Sequence, residues 1–243
     1  MKKGQRADIA LHTQGYFESR AKARAAIESG LVIVNGCVIT KPSHPIALED
    51  QIIAQAPFPW VSRGGVKLAY ALKHFDIDIK DHFCLDVGSS TGGFTDVLLY
   101  NGAQHVVCVD VGQNQLHKKL RRDPRVTSLE SQDIRDLVAA DLPHRPTRIV
   151  IDASFISLSL ILPHIDQLAA KQCRLVALIK PQYEAGAAAN KKGIVREIKI
   201  HDEVCSKTKD EIEKLSWSVQ GLSESPIKGG NGNREFLIYA SRL

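Results

Sequence analysis

Residues Leu85–Leu98 read LDVGSSTGGFTDVL. A short apolar run carries an acid, then glycines and hydroxyls, then a helical pattern. A strand that runs through a glycine-rich turn into a helix is how a chain builds a nucleotide-binding loop. What that loop can hold depends on where its glycines fall.

A phosphate-binding P-loop needs G-x-x-x-x-G-K-[ST], but the residue after Gly93 is Phe94, so the phosphate-pairing lysine is absent. A dinucleotide fingerprint needs G-x-G-x-x-G, and Gly88, Gly92 and Gly93 have the wrong spacing. A third reading has an acid at the strand end followed by small residues packing closely on a ligand without phosphate. S-adenosylmethionine suits it, because its amino-acid part is zwitterionic. The candidate cofactor residues are Asp86, Gly88, Ser89, Ser90, Thr91, Gly92 and Gly93. Asp110 ends the next apolar run, where a carboxylate can accept ribose hydroxyls, and Asp133 follows the third, beside the place for an adenine. Each has an alternative: Asp133 as a helix cap, Asp110 as a strand-end acid facing water.

Around the loop, β-like runs alternate with helical stretches from about residue 62 onward. The runs are CLDVG, HVVCVDVG, VTSLES, RIVIDASF, RLVALIK, SVQGLSES and EFLIYAS. Helices are expected over Phe94–Tyr100, Gln115–Arg121, Ser159–Lys171 and Ile200–Leu215. Val-, Ile- and Leu-rich strands alternating with helices predict an α/β fold with a mainly parallel sheet covered on both faces. Only the loop PIKGGNGN separates the last two runs, so these should pair antiparallel at one edge. About seven strands with the last antiparallel fit a Rossmann-like class I methyltransferase better than a dehydrogenase.

The fourth run ends in Ile151-Asp152-Ala153-Ser154-Phe155 and lacks the Asn/Asp-Pro-Pro-aromatic pattern common in methylation of exocyclic amines. The fifth ends in Lys180-Pro181-Gln182, which sets a lysine beside Asp152 across neighbouring strands. Phe155 and Tyr183 are candidates for holding an unstacked nucleotide. Lys67 falls off the apolar stripe Leu68, Ala71, Leu72 and Phe75 of its helix and by itself reads as a surface lysine.

Ahead of this lies a different segment, set off by the two prolines and tryptophan of APFPWV (Ala56–Val61). The expected division is 1–55, a linker at 56–61, and 62–243. The first part reads as two short helices, the second N-capped by Ser19 and closed by Gly30, then β-runs turning at Asn35-Gly36. Six basic residues against two acidic ones lie between Lys2 and Arg24. Arg6, Arg20, Lys22, Arg24 and, further on, Arg63 are candidates for contacting an RNA backbone. Lys118, Lys119, Arg121, Arg122 and Arg125 either extend that surface or form an ordinary exposed helix face.

The bulk properties agree. The 243 residues are 44% hydrophobic and 24% charged with net charge +5, a soluble globular balance compatible with a nucleic-acid partner. The five cysteines form no C-x-x-C pair, which predicts neither a zinc site nor a disulfide framework, and points to a reducing cytoplasm. No stretch reads as a leader or a membrane span.

Two resemblances rest on these residues. R-A-K-A…I-x-x-G-L-V-x-V-N-G within Arg6–Ala54 resembles the S-four RNA-binding domain, an α+β module whose basic helix faces RNA. SRGGVKL (Ser62–Leu68), LDVGSSTGGFTD, IDASFISL (Ile151–Leu158), LIKPQYE (Leu178–Glu184) and GNREFL (Gly232–Leu237) together resemble the TlyA, or hemolysin-A-like, family. The resemblance implies an FtsJ-like, S-adenosylmethionine-dependent 2′-O-methyltransferase acting on a cytidine ribose of ribosomal RNA in ribosomal subunits. It also implies a catalytic tetrad of Lys67, Asp152, Lys180 and Glu235, with no structural metal. Two other readings are a catalytically silent RNA-binding protein and, from the family's second name, a membrane-lysing one.

Overall fold

A computed structural model describes residues 4–186, 193–229 and 232–243, in two compact units, Met1–Arg63 and Gly64–Leu243. Lys2, Lys3 and the middle of the loop PIKGGNGN lie outside the described residues.

In the first unit, α1 (Ala7–Thr13) and α2 (Arg20–Glu28) pack on short strands. Strand β1 (Gln5–Arg6) pairs with β4 (Pro45–Ile46), while β2 (Val32–Val34) lies between β3 (Cys37–Val38) and β5 (Ile52–Ala54). The Ser19 hydroxyl accepts from the Lys22 amide as the helix cap, as its position predicts. Asn35 and Gly36 have φ of 50° and 79°, the left-handed pair a two-residue β2–β3 turn requires. The Asn35 side chain also accepts from the Gln51 amide at 2.9 Å and donates to Asp50 at 2.8 Å, which ties the turn to the start of β5. The core is Ala7, Ala10, Leu11, Phe17, Ala23, Ala26, Ile27, Val32, Val34, Ile39 and Ile46. Strands β1, β4 and β5 were not legible in the sequence, because QR, PI and IIA lack a turn signal such as the Asn35-Gly36 that marks the equally short β2 and β3.

The second unit opens with α3 (Gly64–His74). The sheet then builds from β6 (Phe83–Val87), β7 (His105–Asp110), β8 (Val126–Glu130), β9 (Arg148–Ile151), β10 (Cys173–Ile179), β11 (Ser218–Glu224) and β12 (Phe236–Arg242), in the order β11-β12-β10-β9-β6-β7-β8. Strands β6 to β10 run parallel. Strand β12 is antiparallel to both β10 and β11, inserted between them. All seven expected runs are strands. Helices α4 (Gly93–Tyr100), α5 (Lys118–Arg121), α6 (Leu158–Leu168), α7 (Pro181–Glu184) and α8 (Ile198–Lys214) connect them. Helix α5 is shorter than its expected span, since Gln115 and Leu116 instead donate their amides to the Glu130 carboxylate.

The order of winding reverses between the parallel strands β6 and β9: β6 continues outward to β7 on one side, and β9 to β10 on the other. Crevices form at such a switch point, at the carboxyl ends of the strands. The loops leaving β6 and β9 touch there. A Cβ on Gly88, whose φ is +79°, would lie 2.8 Å from the Asp152 carbonyl oxygen, so only glycine fits. No helix among the described residues is long and apolar enough to cross a membrane.

Candidate active site

Four charged side chains meet at this edge of the sheet. Lys180 follows β10 and Asp152 follows β9; Lys180 Nζ lies 2.6 Å from Asp152 Oδ1, an ion pair off the hydrogen-bond direction. Lys67, on the first turns of α3, donates to Glu235 Oε2 at 2.6 Å, just ahead of β12. Ile179 pairs with Phe236 across β10 and β12, so Lys180 and Glu235 are neighbours and the two ion pairs lie side by side. Lys67, Lys180 and Glu235 are buried. The apolar stripe of α3 put Lys67 toward solvent; the structure corrects that, because the lysine turns inward to the carboxylate.

Burying one ion of such a pair without the other is costly, so each lysine requires its carboxylate. Glu235 is gripped further: a Cβ on Gly229 would lie 2.2 Å from its Oε1. Lys180 also donates to Ser154 Oγ at 2.8 Å and, more weakly, to the Asp152 carbonyl at 3.4 Å. Two ammonium protons thus have acceptors in hydrogen-bond geometry, while Asp152 Oδ1 contributes charge alone.

Two of these residues escaped the sequence reading. Ser154 lies two positions past Asp152 in the same motif. Glu184 lies one helical turn past Lys180, accepting from Ser157 Oγ at 2.5 Å and from the Leu158 amide at 2.8 Å. Burial pushes the Glu184 carboxyl up while these bonds pull it down, leaving it above the ordinary range. Glu184 therefore caps α6 and fixes the loop after β9 to α7. On the same loop, Phe155 is 89% exposed with φ of 65°, its ring 5.2 Å from that of Tyr183. An exposed aromatic in a left-handed conformation is costly, and such strain gathers at functional sites.

The glycine loop sits beside this group. Asp86 is fully buried; its Oδ2 accepts from Thr95 Oγ1 at 2.6 Å, and its Oδ1 has no partner. Burial, opposed by the Thr95 bond and reinforced by Asp152, pushes its pKa up to about 7. Gly88 and Gly92 take left-handed φ, Ser89 is buried, Ser90 and Thr91 are exposed, and Gly93 begins α4. Asp110 accepts from the Ser90 amide and the Gly112 amide, each at 2.7 Å, so it braces the loop. Asp133 accepts from the Arg135 side chain and its amide; these bonds hold it below the usual carboxylate range and make it a cap of the turn at Ile134–Asp136. Its helix-cap alternative is thus realised in the structure.

The basic candidates of the first unit are less free than their charge count suggests. Arg6 and Arg20 both bind the buried Asp8, at 3.0 and 2.8 Å, and stay about half exposed. Burial raises Asp8, but the Arg20 and Arg6 bonds outweigh it and keep the carboxyl low. Lys22 pairs with Glu18 and lies 5.8 Å from the Phe58 ring; Arg24 pairs with Glu28. Arg63 is exposed. In the second unit, Lys119, Arg121 and Arg125 pair with Asp96, Glu130 and Asp123, as on an ordinary charged surface. Among the described residues no group of three His, Cys, Asp or Glu is placed to hold a metal ion.

Comparison with known proteins finds the same two parts. The model of the FtsJ-like methyltransferases matches residues 60–242, and that of the S4 domain residues 5–52. "Putative rRNA methyltransferase YqxC" of Bacillus subtilis is 44% identical over 240 residues, covering 98% of this chain and 85% of that one. The 16S/23S rRNA (cytidine-2′-O)-methyltransferase TlyA of Mycobacterium tuberculosis is 36% identical over 242 residues, covering 98% and 90%. A solved structure, "Putative hemolysin from Streptococcus thermophilus", superimposes with a TM-score of 0.79 at 41% identity, covering all of this chain and 90% of that one.

Proposed function

This chain belongs to the FtsJ-like methyltransferase family, in its TlyA and hemolysin-A-like branch, and from that premise we propose that it methylates the ribose 2′-hydroxyl of a cytidine in ribosomal RNA. The observation that carries the proposal is the pair of buried ion pairs, Lys180 with Asp152 and Lys67 with Glu235, at the switch point beside the glycine loop.

The loop fits S-adenosylmethionine in its chemistry. It carries no phosphate-pairing lysine, its backbone approaches closely at Gly88, and the first amides of α4 suit a carboxylate. The buried, partnerless Asp86 Oδ1 suits a cationic or hydrogen-bonding group. Asp86, Gly88, Ser89, Ser90, Thr91, Gly92, Gly93 and Asp110 would hold the cofactor, which supplies an electrophilic sulfonium methyl; the Asp133 carboxylate, engaged by Arg135, would border the adenine through the turn it caps.

A ribose hydroxyl is a poor nucleophile, so positioning outweighs outright deprotonation. Lys180 Nζ is the group that meets and orients the 2′-oxygen, whose proton is lost to water as the methyl is transferred. Asp152 and Ser154 aim it; Lys67 and Glu235 are the charge-balanced wall behind. Phe155 and Tyr183 offer ring faces to an unstacked base. Arg6, Arg20, Lys22, Arg24 and Arg63 contact the RNA backbone. With ribosomes as substrate, the cytoplasm is the working compartment.

The test is transfer of labelled methyl from S-adenosylmethionine to purified ribosomal subunits. Label is expected on RNA, blocking alkaline cleavage beside one nucleotide, with turnover falling about a thousandfold in Lys180→Ala. Label on a base, or full turnover in that variant, sinks the ribose mechanism.

A further inference from the structure

One cavity lies beside the reacting group and is used by none of the roles above. It measures about 280 Å³ and is lined by Ile194, Val195, Arg196, His201, Lys228 and Arg234, with Gly232 at its rim. Its place is fixed by the β11–β12 loop. Arg234 directly precedes Glu235, and Lys228 directly precedes Gly229, the residue packed on the Glu235 carboxylate. The other wall is the approach to α8, held by buried Asn233, which accepts from the Val195 amide at 3.0 Å and donates to the Gly193 carbonyl at 2.8 Å.

The charge lining this cavity is positive, with the Glu224 carboxylate near its rim, held low by Arg234 first and also by His201 and Lys228. Among the described residues its lining contains three cations and no acid. Arg234 is neutralised from outside by a two-pronged pairing with Glu224, at 2.9 and 2.5 Å. Arg196 and Lys228 are exposed and make no ion pair among the described residues. At the back, His201 is 2% exposed; its Nε2 donates to the Val195 carbonyl at 3.1 Å, and its Nδ1, an acceptor, has no hydrogen-bond partner among the described residues.

Two exposed cations without an ion pair among the described residues, over apolar walls, on the sheet edge that carries Lys180, describe a site for a singly charged oxyanion. We propose that this cavity binds one phosphodiester of the RNA strand, flanking the nucleotide whose ribose is methylated. Arg196 and Lys228 supply the charge, and the Arg196 guanidinium supplies planar donors for a phosphate oxygen. Because the loop carries Lys228 and Arg234 on either side of Glu235's contacts, seating that phosphate sets the strand in register with the reacting group.

The inference rests on the RNA methyltransferase reading, and the experiment separates the two. Affinity for ribosomal subunits is measured at several salt concentrations, with kcat and KM for methyl transfer, in the parent chain and in Arg196→Gln/Lys228→Gln. A control, Lys209→Gln/Lys214→Gln, removes two exposed charges from the far end of α8. The cavity variant is expected to raise KM about tenfold at unchanged kcat and to flatten the log–log salt slope by about 0.7, the value for one phosphate of a single strand. The control should leave the slope as it is. Equal slopes in parent and cavity variant, or equal loss in the control, overturn the cavity assignment alone. A parent chain that transfers no methyl to RNA overturns the underlying reading instead.

Discussion

The two units handle charge in opposite ways. In the first, Arg6 and Arg20 share one buried carboxylate and keep side-chain exposures of 51% and 56%, so their remaining donors face solvent. In the second, Lys67 and Lys180 also hold one carboxylate each, but at side-chain exposures of 10% and 8%. An ion pair at the surface is screened within a Debye length and adds little stability. A buried one is barely screened, and removing one partner strands the other. Basic side chains therefore make exposed, salt-sensitive pairs in one unit and buried, salt-insensitive pairs in the other.

The largest effect that would break this contrast concerns Lys67. Lys67→Ala leaves Glu235 buried and alone, at an expected cost of about 3–5 kcal/mol in chemical denaturation. Lys67→Met with Glu235→Leu should recover most of that stability while leaving the chain inactive. If Lys67→Ala costs no more than a surface substitution, the second unit's charges behave like the first's.

Asp86 sharpens the contrast through pH. Its folded pKa, about 7, stands above the ordinary 3.8. Below pH about 4 the carboxyl is neutral in both states; as pH rises toward 7 the unfolded chain releases its proton first, so stability falls, and the loss is complete above 7. Asp86→Asn lacks that loss. Melting temperatures of the variant and the parent should stay together at pH 4 and separate by roughly 8–16 °C in favour of the variant at pH 8. A gap independent of pH contradicts the assignment.

The smallest effect belongs to the surface. Arg20→Ala should weaken RNA binding about tenfold at low salt, and the difference should shrink as salt rises. A deficit that persists in high salt would mean that Arg20 acts through structure.

Much of this was legible in the sequence because the signals were local. Asn35-Gly36 announces its turn, the Val- and Ile-rich runs their strands, and Phe94 after Gly93 rules out a P-loop without coordinates. The misses share a different cause. Periodicity put Lys67 outside the stripe of α3, since an apolar count cannot register a charge buried against a partner 168 positions away. Glu28 lies just beyond the window in which basic residues outnumber acidic ones, yet it neutralises Arg24. Ser154 and Glu184 look like ordinary strand-end and helix residues until the loops after β9 and β10 are brought together. Local chemistry is written in the chain; pairing across the sheet is written in the fold.

The most direct test sets one residue from each unit side by side in steady-state methyl transfer from S-adenosylmethionine to ribosomal subunits. Arg20→Ala should raise KM about tenfold with kcat unchanged, while Lys180→Ala should lower kcat about a thousandfold at saturating RNA. Loss of kcat in Arg20→Ala, or parent-like kcat in Lys180→Ala, would contradict the division between surface charges that bind and buried charges that react.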